Sequence, residues 1–202
     1  DLNLTYPIMR GLAPILTLLF GFVFLNEHIS TGVTIGIFLV SAGVILLGLR
    51  ITNSSENHTK ALIFALTNSL VIALYTLVDG YGVRLNSNAW SYVGLLMFLH
   101  GCVFLTLVIW QRRHQGLLFE SLSYLKTRWS YPLIGGGCII GSYSIALWAM
   151  TQVPISLVAA LRETSVLFAF LFGVLYLKES LYPQRILGIL GVCLGLMFIR
   201  MN

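Results

Sequence analysis

Charge is what this 202-residue sequence has least of: 9% of residues are Asp, Glu, Lys or Arg, where soluble proteins carry roughly 25%. That scarcity excludes a water-soluble globular chain, because 57% of residues are hydrophobic and no polar shell could cover them. The net charge of +5 is scattered among short loops and forms no basic stripe with interleaved aromatics, so no nucleic-acid partner is expected. Cysteine is equally sparse. Cys102, Cys138 and Cys193 are odd in number, lie in apolar stretches and show no C-x-x-C or His/Cys spacing, which excludes a disulfide framework and a metal site. No G-x-x-x-x-G-K-[ST], G-x-S-x-G or H-E-x-x-H is present, and no catalytic groups pair at one depth. ATP-driven pumping and common hydrolytic chemistry thus have no support; the expectation is a non-enzyme without cofactors.

What the sequence has in abundance is apolar runs of membrane-spanning length. A bilayer core about 30 Å thick needs roughly 20 apolar residues per helix. Seven such spans are expected, at 6–25, 32–49, 61–79, 89–110, 131–150, 154–177 and 183–199. The fold class that follows is an all-α membrane protein, a multi-helix transmembrane bundle whose first partner is the lipid bilayer. Between 111 and 130, Leu117, Leu118, Leu122, Leu125 and Trp129 recur against Arg112, Arg113, Lys126 and Arg128, a pattern open to an interfacial helix or an irregular loop.

An internal repeat organises the spans. An offset of 152 positions matches Arg10 with Arg162, Phe20 with Phe172, Gly21 with Gly173, Leu25 with Leu177 and Glu27 with Glu179; beyond the turn, Gly36, Ile37, Val40 and Gly43 match Gly188, Ile189, Val192 and Gly195. The first and sixth spans are five helices apart, and an odd separation reverses the direction of crossing. The copies are therefore expected to be inverted five-helix repeats, with 6–50 the last two helices of one and 61–200 the whole of the other. On that count ten helices are implied where seven are present, and three N-terminal helices precede this sequence. Inverted repeats of this kind characterise secondary transporters, whose substrate site lies at the repeat interface.

The turn ending in Glu (Leu25-Asn26-Glu27 and Leu177-Lys178-Glu179), followed by Gly nine residues on and again seven later, resembles the EamA family of the drug/metabolite transporter superfamily. The stretch from Leu147-Trp148-Ala149-Met150 through Pro154 to Arg162-Glu163-Thr164-Ser165 is similar to the penultimate-helix region of bacterial members. The resemblance implies a ten-helix carrier that exports metabolites, amino acids or toxic compounds across the bacterial inner membrane. The rival reading is a noncatalytic membrane scaffold or accessory subunit. Counting Lys and Arg by side places the C-terminus outside by the positive-inside rule, whereas the resemblance implies a cytoplasmic C-terminus.

Several polar residues inside spans are candidates for solute contact. Arg162 and Glu163 lie about a third of the way into the sixth span, where an ionisable group costs roughly 2.5–3.5 kcal/mol unless partnered or hydrated. They read as a contact for a charged or zwitterionic solute, as a proton-coupled pair, or as a structural ion pair. Arg10 is the repeat partner of Arg162, near enough to its span's start to reach headgroups. Asn68, Tyr75 and Asp79 share one face of the third span, with Asp79 at its end; Tyr143 and Trp148 in the fifth could wall an apolar or aromatic substrate. His100 stands alone in the fourth. Glu27 and Glu179 suit the capping of a following helix, and Gly32/Gly36, Gly137/Gly141 and Gly191/Gly195 are small-xxx-small spacings expected to permit close helix approach.

Overall fold

The structure is a computed structural model, and it describes residues 2–48, 58–86, 88–114, 123, 126–178 and 183–201. Among these, every regular element in the chain order is a helix: α1 Leu2–Leu25, α2 Thr31–Gly48, α3 His58–Leu85, α4 Ala89–His114, α5 Ser130–Met150, α6 Ile155–Arg162, α7 Ser165–Leu177 and α8 Pro183–Met201. Apolar side chains drive these segments into lipid, where an unpaired backbone N–H or C=O costs several kcal/mol; helices pair all of them internally. Six stretches are long and apolar enough to cross a membrane, one of them α6 and α7 taken together as Ile155–Tyr176, and α2 is a shorter apolar helix. The chain is an all-α membrane protein. Large apolar side chains on the outside of the helices, such as Phe98 and Phe104 of α4, are what lipid-facing surfaces require.

Two differences from the expected spans matter. The third helix runs to Leu85, so Asp79 lies buried within it and does not mark its end. The sixth span is broken between Arg162 and Ser165. Residues 115–122, 124 and 125 of the proposed interfacial stretch, and Glu179 of the second turn, lie outside the described residues.

The helices group into two compact units, one comprising Asp1–Gly80 with Val153–Asn202 and the other Tyr81–Gln152. In the first, α2 and α8 pack antiparallel along a seam of glycines. A Cβ placed on Gly36 would lie 2.7 Å from the carbonyl oxygen of Gly195, and one on Gly43 would lie 2.7 Å from that of Gly188. The converse also holds, with Cβ positions on Gly195 and Gly188 at 2.7 and 2.8 Å from the oxygens of Gly36 and Gly43. Fully buried Ile37, Val40 and Val192 fill the space beside the glycines, and Val33, Val44, Leu47, Ala160 and Ile199 complete the core. Gly11 seats α1 on the same scaffold, since a Cβ there would meet the Ser41 carbonyl at 2.8 Å.

The turn after α1 and the end of α7 are built alike. Asn26 (φ 50°) and Lys178 (φ 53°) are the described non-glycine residues with positive φ, and they stand 152 positions apart. The N–H of Glu27 bonds to the Gly21 carbonyl at 3.1 Å, and that of Lys178 to the carbonyl of Gly173, also 152 positions on. Each left-handed residue closes a helix end that would otherwise leave carbonyls unpaired.

In the second unit, α4 and α5 pack on each other, and the close of α3 meets α4 where Gly82 lies under the Tyr92 hydroxyl. The Gly137/Gly141 spacing does not act as expected, because a Cβ on either meets nothing within 4 Å. Gly43→Val should therefore lower the thermal stability of the detergent-solubilised protein by about 1–3 kcal/mol through overpacking. Gly137→Ala, in open space, should leave it unchanged or gain up to about 1 kcal/mol in helix propensity; melting curves of the two variants check both.

Candidate functional site

Two features of local chain chemistry place a charge pair inside the first unit. On α1, Pro14 has no N–H to give to the carbonyl of Arg10 four residues earlier, which loosens the helix just above that residue. On the other side, the run Arg162-Glu163-Thr164-Ser165 interrupts an apolar span. Here the helix tightens into i→i+3 bonds, from the N–H groups of Glu163 and Thr164 to the carbonyls of Ala160 and Leu161, both at 3.1 Å. The Thr164 hydroxyl donates to the Leu161 carbonyl at 2.7 Å. The break thus keeps its backbone paired, the condition under which irregular backbone survives at membrane depth.

Arg10 and Glu163 meet across this break, with Nη1 3.4 Å from Oε1. The glutamate side chain retains 6% of its exposure and the arginine 27%. The pairing is incomplete: the Arg10 Nε and the Glu163 Oε2 are buried and have no hydrogen-bond partner among the described residues. Tyr6 stands beside Arg10, with its ring centroid 5.9 Å from the guanidinium carbon, and Tyr75 lies within electrostatic range. At the residue before Arg10, the sulfur of Met9 is contacted by the amide of Asn68. Beside Tyr6, a cavity of about 380 Å³ is lined by Val44, Val166, Phe170 and Arg185. An arginine and a carboxylate at one point, each with an unused polar atom, can bind both ends of a zwitterion or exchange one partner for a solute charge.

Of the residues picked out from sequence, this geometry brings together Arg10 and Glu163, with Tyr75 within electrostatic range of Arg10 and Asn68 against Met9, the residue before it. Arg162 is half-buried on the last turn of α6. Tyr143 and Trp148 belong to the second unit, the first half-buried and the second exposed on α5; His100 is exposed on α4. Sequence reasoning missed Tyr6, whose signal was its position one turn before Arg10. It also misjudged what Glu27 caps. Ser30 takes the role at the following helix, accepting from the Val33 N–H at 3.3 Å. Both Glu27 carboxylate oxygens instead lie 3.1 Å from the N–H of Ile155, the first residue of α6. Glu27 thereby pins the start of the helix whose other end carries Arg162 and Glu163, from a point 128 residues away in the chain.

With this arrangement in view, the family relationship is direct: the EamA-like transporter family matches residues 59–201. The chain belongs to the EamA-like transporter family. It is accordingly a membrane transporter protein of the drug/metabolite type, from a family of carriers and not of enzymes. Comparison with curated proteins gave no match. The EamA-like match contains Glu163 and the polar face of α3, while Arg10 and Glu27 lie before it.

Two outcomes follow from the geometry. Arg10→Met, which strands a buried carboxylate, should destabilise the protein by about 3–5 kcal/mol, and adding Glu163→Gln should recover part of that loss. A double-mutant cycle on thermal unfolding measures the coupling. Glu27→Ala should cost about 0.5–2 kcal/mol as a lost helix cap, and hydrogen exchange should accelerate at residues 155–158 more than in α8.

Proposed function

We propose that this EamA-like protein is a secondary transporter exporting a small metabolite, amino acid or toxic compound across the bacterial inner membrane. Arg10 and Glu163 contact the charged or zwitterionic solute, and Tyr75, Asn68 and Arg162 complete the polar surroundings; Tyr143 and Trp148, in the second unit, are separate proposed contacts for an aromatic or apolar solute. The observation that carries this reading is the pair of half-buried Arg10 with buried Glu163, one polar atom on each side unused, set at a break in a membrane helix. A purely structural ion pair in lipid would be expected to satisfy every lone pair and proton, because an unmet polar group there is costly. Transport is gradient-driven, and a proton on Glu163 would release Arg10 to a solute anion.

The reading includes an inverted duplication. Its support is that the left-handed residues Asn26 and Lys178 share the 152-residue offset of the sequence match, as do the glycines whose carbonyls close the two helix ends, Gly21 accepting from Glu27 and Gly173 from Lys178. The α2–α8 seam also pairs Gly36 with Gly195 and Gly43 with Gly188, the reciprocal pattern of a two-fold contact. A carrier built this way places its substrate site where the copies meet.

Efflux from cells or vesicles carrying the intact gene tests the assignment. Arg10→Gln, Glu163→Gln and Arg162→Ala should each reduce flux at least tenfold while the protein still reaches the membrane folded. Normal folding with unchanged flux in all three would leave the scaffold or accessory-subunit reading standing.

A further inference from the structure

A second site lies in the other unit, away from any residue used above except Trp148. Three helix ends converge there: the close of α3 at Leu85, the start of α4 at Ala89 and the close of α5 at Met150. Between them is a cavity of about 430 Å³ lined by Arg84, Asn86, Asn88, Trp90, Trp148 and Thr151, together with Val83 and Ala89. Helix ends of spanning length mark the headgroup level, where one side of such a cavity is wet and the other apolar.

The side-chain oxygens of this cavity are engaged: the Asn88 Oδ1 receives the Trp90 backbone N–H at 3.0 Å and the Asn86 Oδ1 the Asn88 N–H at 3.4 Å. The Thr151 hydroxyl donates to the Trp148 carbonyl at 2.7 Å and accepts from the Gln152 amide at 2.9 Å. The last carbonyls of α5 are covered as well. Trp148 and Ala149 oxygens receive the Thr151 and Gln152 N–H groups at 3.0 and 2.9 Å. The Met150 oxygen receives the Nε of Arg84 at 2.7 Å. That bond fixes the plane of the guanidinium and cancels the negative end of the helix. The lining otherwise consists of groups that carry N–H donors, a guanidinium, two amides and two indoles, and no carboxylate is among them.

We propose that this cavity binds an anionic group at the membrane face, the phosphate of a lipid headgroup or the carboxylate of an aryl solute, held by Arg84 and the Asn86 and Asn88 amides and flanked by the indoles of Trp90 and Trp148. A planar guanidinium matches either anion in two-point contact, and indoles at the interface accept an apolar or aromatic neighbour. Interfacial tryptophans and a snorkelling arginine would also anchor the helices, but anchoring alone gives no saturable binding.

The test is fluorescence titration of the full chain in neutral detergent, with Trp110 and Trp129 replaced by Phe so that Trp90 and Trp148 report. Two probes separate the sources: dihexanoyl-phosphatidylglycerol and phenylacetate. Saturation by the lipid alone assigns the site to headgroups, and saturation by phenylacetate alone or by both assigns it to soluble anions; each supports an anion site. Arg84→Gln, which keeps a donor for the Met150 carbonyl but removes the charge, should weaken binding at least fivefold. Asn86→Asp, which adds a carboxylate to the lining, should do the same without touching Arg84. Absence of saturation with both probes below about 10 mM, or unaltered affinity in both variants, would overturn the proposal.

Discussion

The close approach of α2 and α8 is the contact on which the rest of the first unit depends. In lipid, two helices gain little by hiding apolar surface from each other, since the alternative neighbour is equally apolar; association rests on dispersion between closely fitted surfaces. Glycine at 36, 43, 188 and 195 removes the atoms that would hold the backbones apart, and β-branched Ile37, Val40 and Val192 fill the flanks with side chains already limited in rotamer. On this seam sit α1, through Gly11, and α6, through Ala160. Those two helices carry Arg10 and Glu163, so the distance between the charges is set by a contact that contains neither.

The ion pair is positioned by backbone irregularity on both sides. Pro14 deprives Arg10 of a helix bond, the 162–165 break turns Glu163 across the span, and Glu27 holds the start of α6 through a bond to Ile155. The second and third of these devices give backbone groups other partners, as a medium without water demands. What stays unmatched is confined to a few side-chain atoms, among them the Arg10 Nε and the Glu163 Oε2. The others among the described residues are the hydroxyls of Ser41 and Ser156, so the charge pair supplies the charged part of the unmet polarity in this unit.

Much of this architecture was legible in the residues because lipid leaves a strong imprint on composition. Apolar runs marked the helices to within a few residues at most ends, and the offset of 152 marked the equivalence of Asn26 with Lys178 before any dihedral angle was known. The break at Glu163 was less legible. No Gly or Pro announces it; the signal was four consecutive polar residues in an apolar span, which read as a site and not as a bend. The meeting of Glu163 with Arg10, and of Glu27 with Ile155, depends on which helices adjoin in space, and helical periodicity carries no such information. The Gly137/Gly141 spacing looked like that of the α2–α8 glycines yet meets open space, since a small-residue motif permits close approach without supplying a neighbour. Asp79 was misplaced because the polar end of α3, through Arg84, continues as helix beyond the apolar run.

Gly11 bears on how the carrier's two faces can differ. The residue 152 positions after Arg10 is another arginine, but the residue 152 positions before Glu163 is Gly11. A glutamate could not be accommodated there, because a Cβ would meet the side chain of Ile45 and lie 2.8 Å from the Ser41 carbonyl oxygen. The charge pair therefore has no mirror image elsewhere in the chain. One packing contact between α1 and α2 thus decides that a carboxylate stands at only one of the two positions that the offset relates.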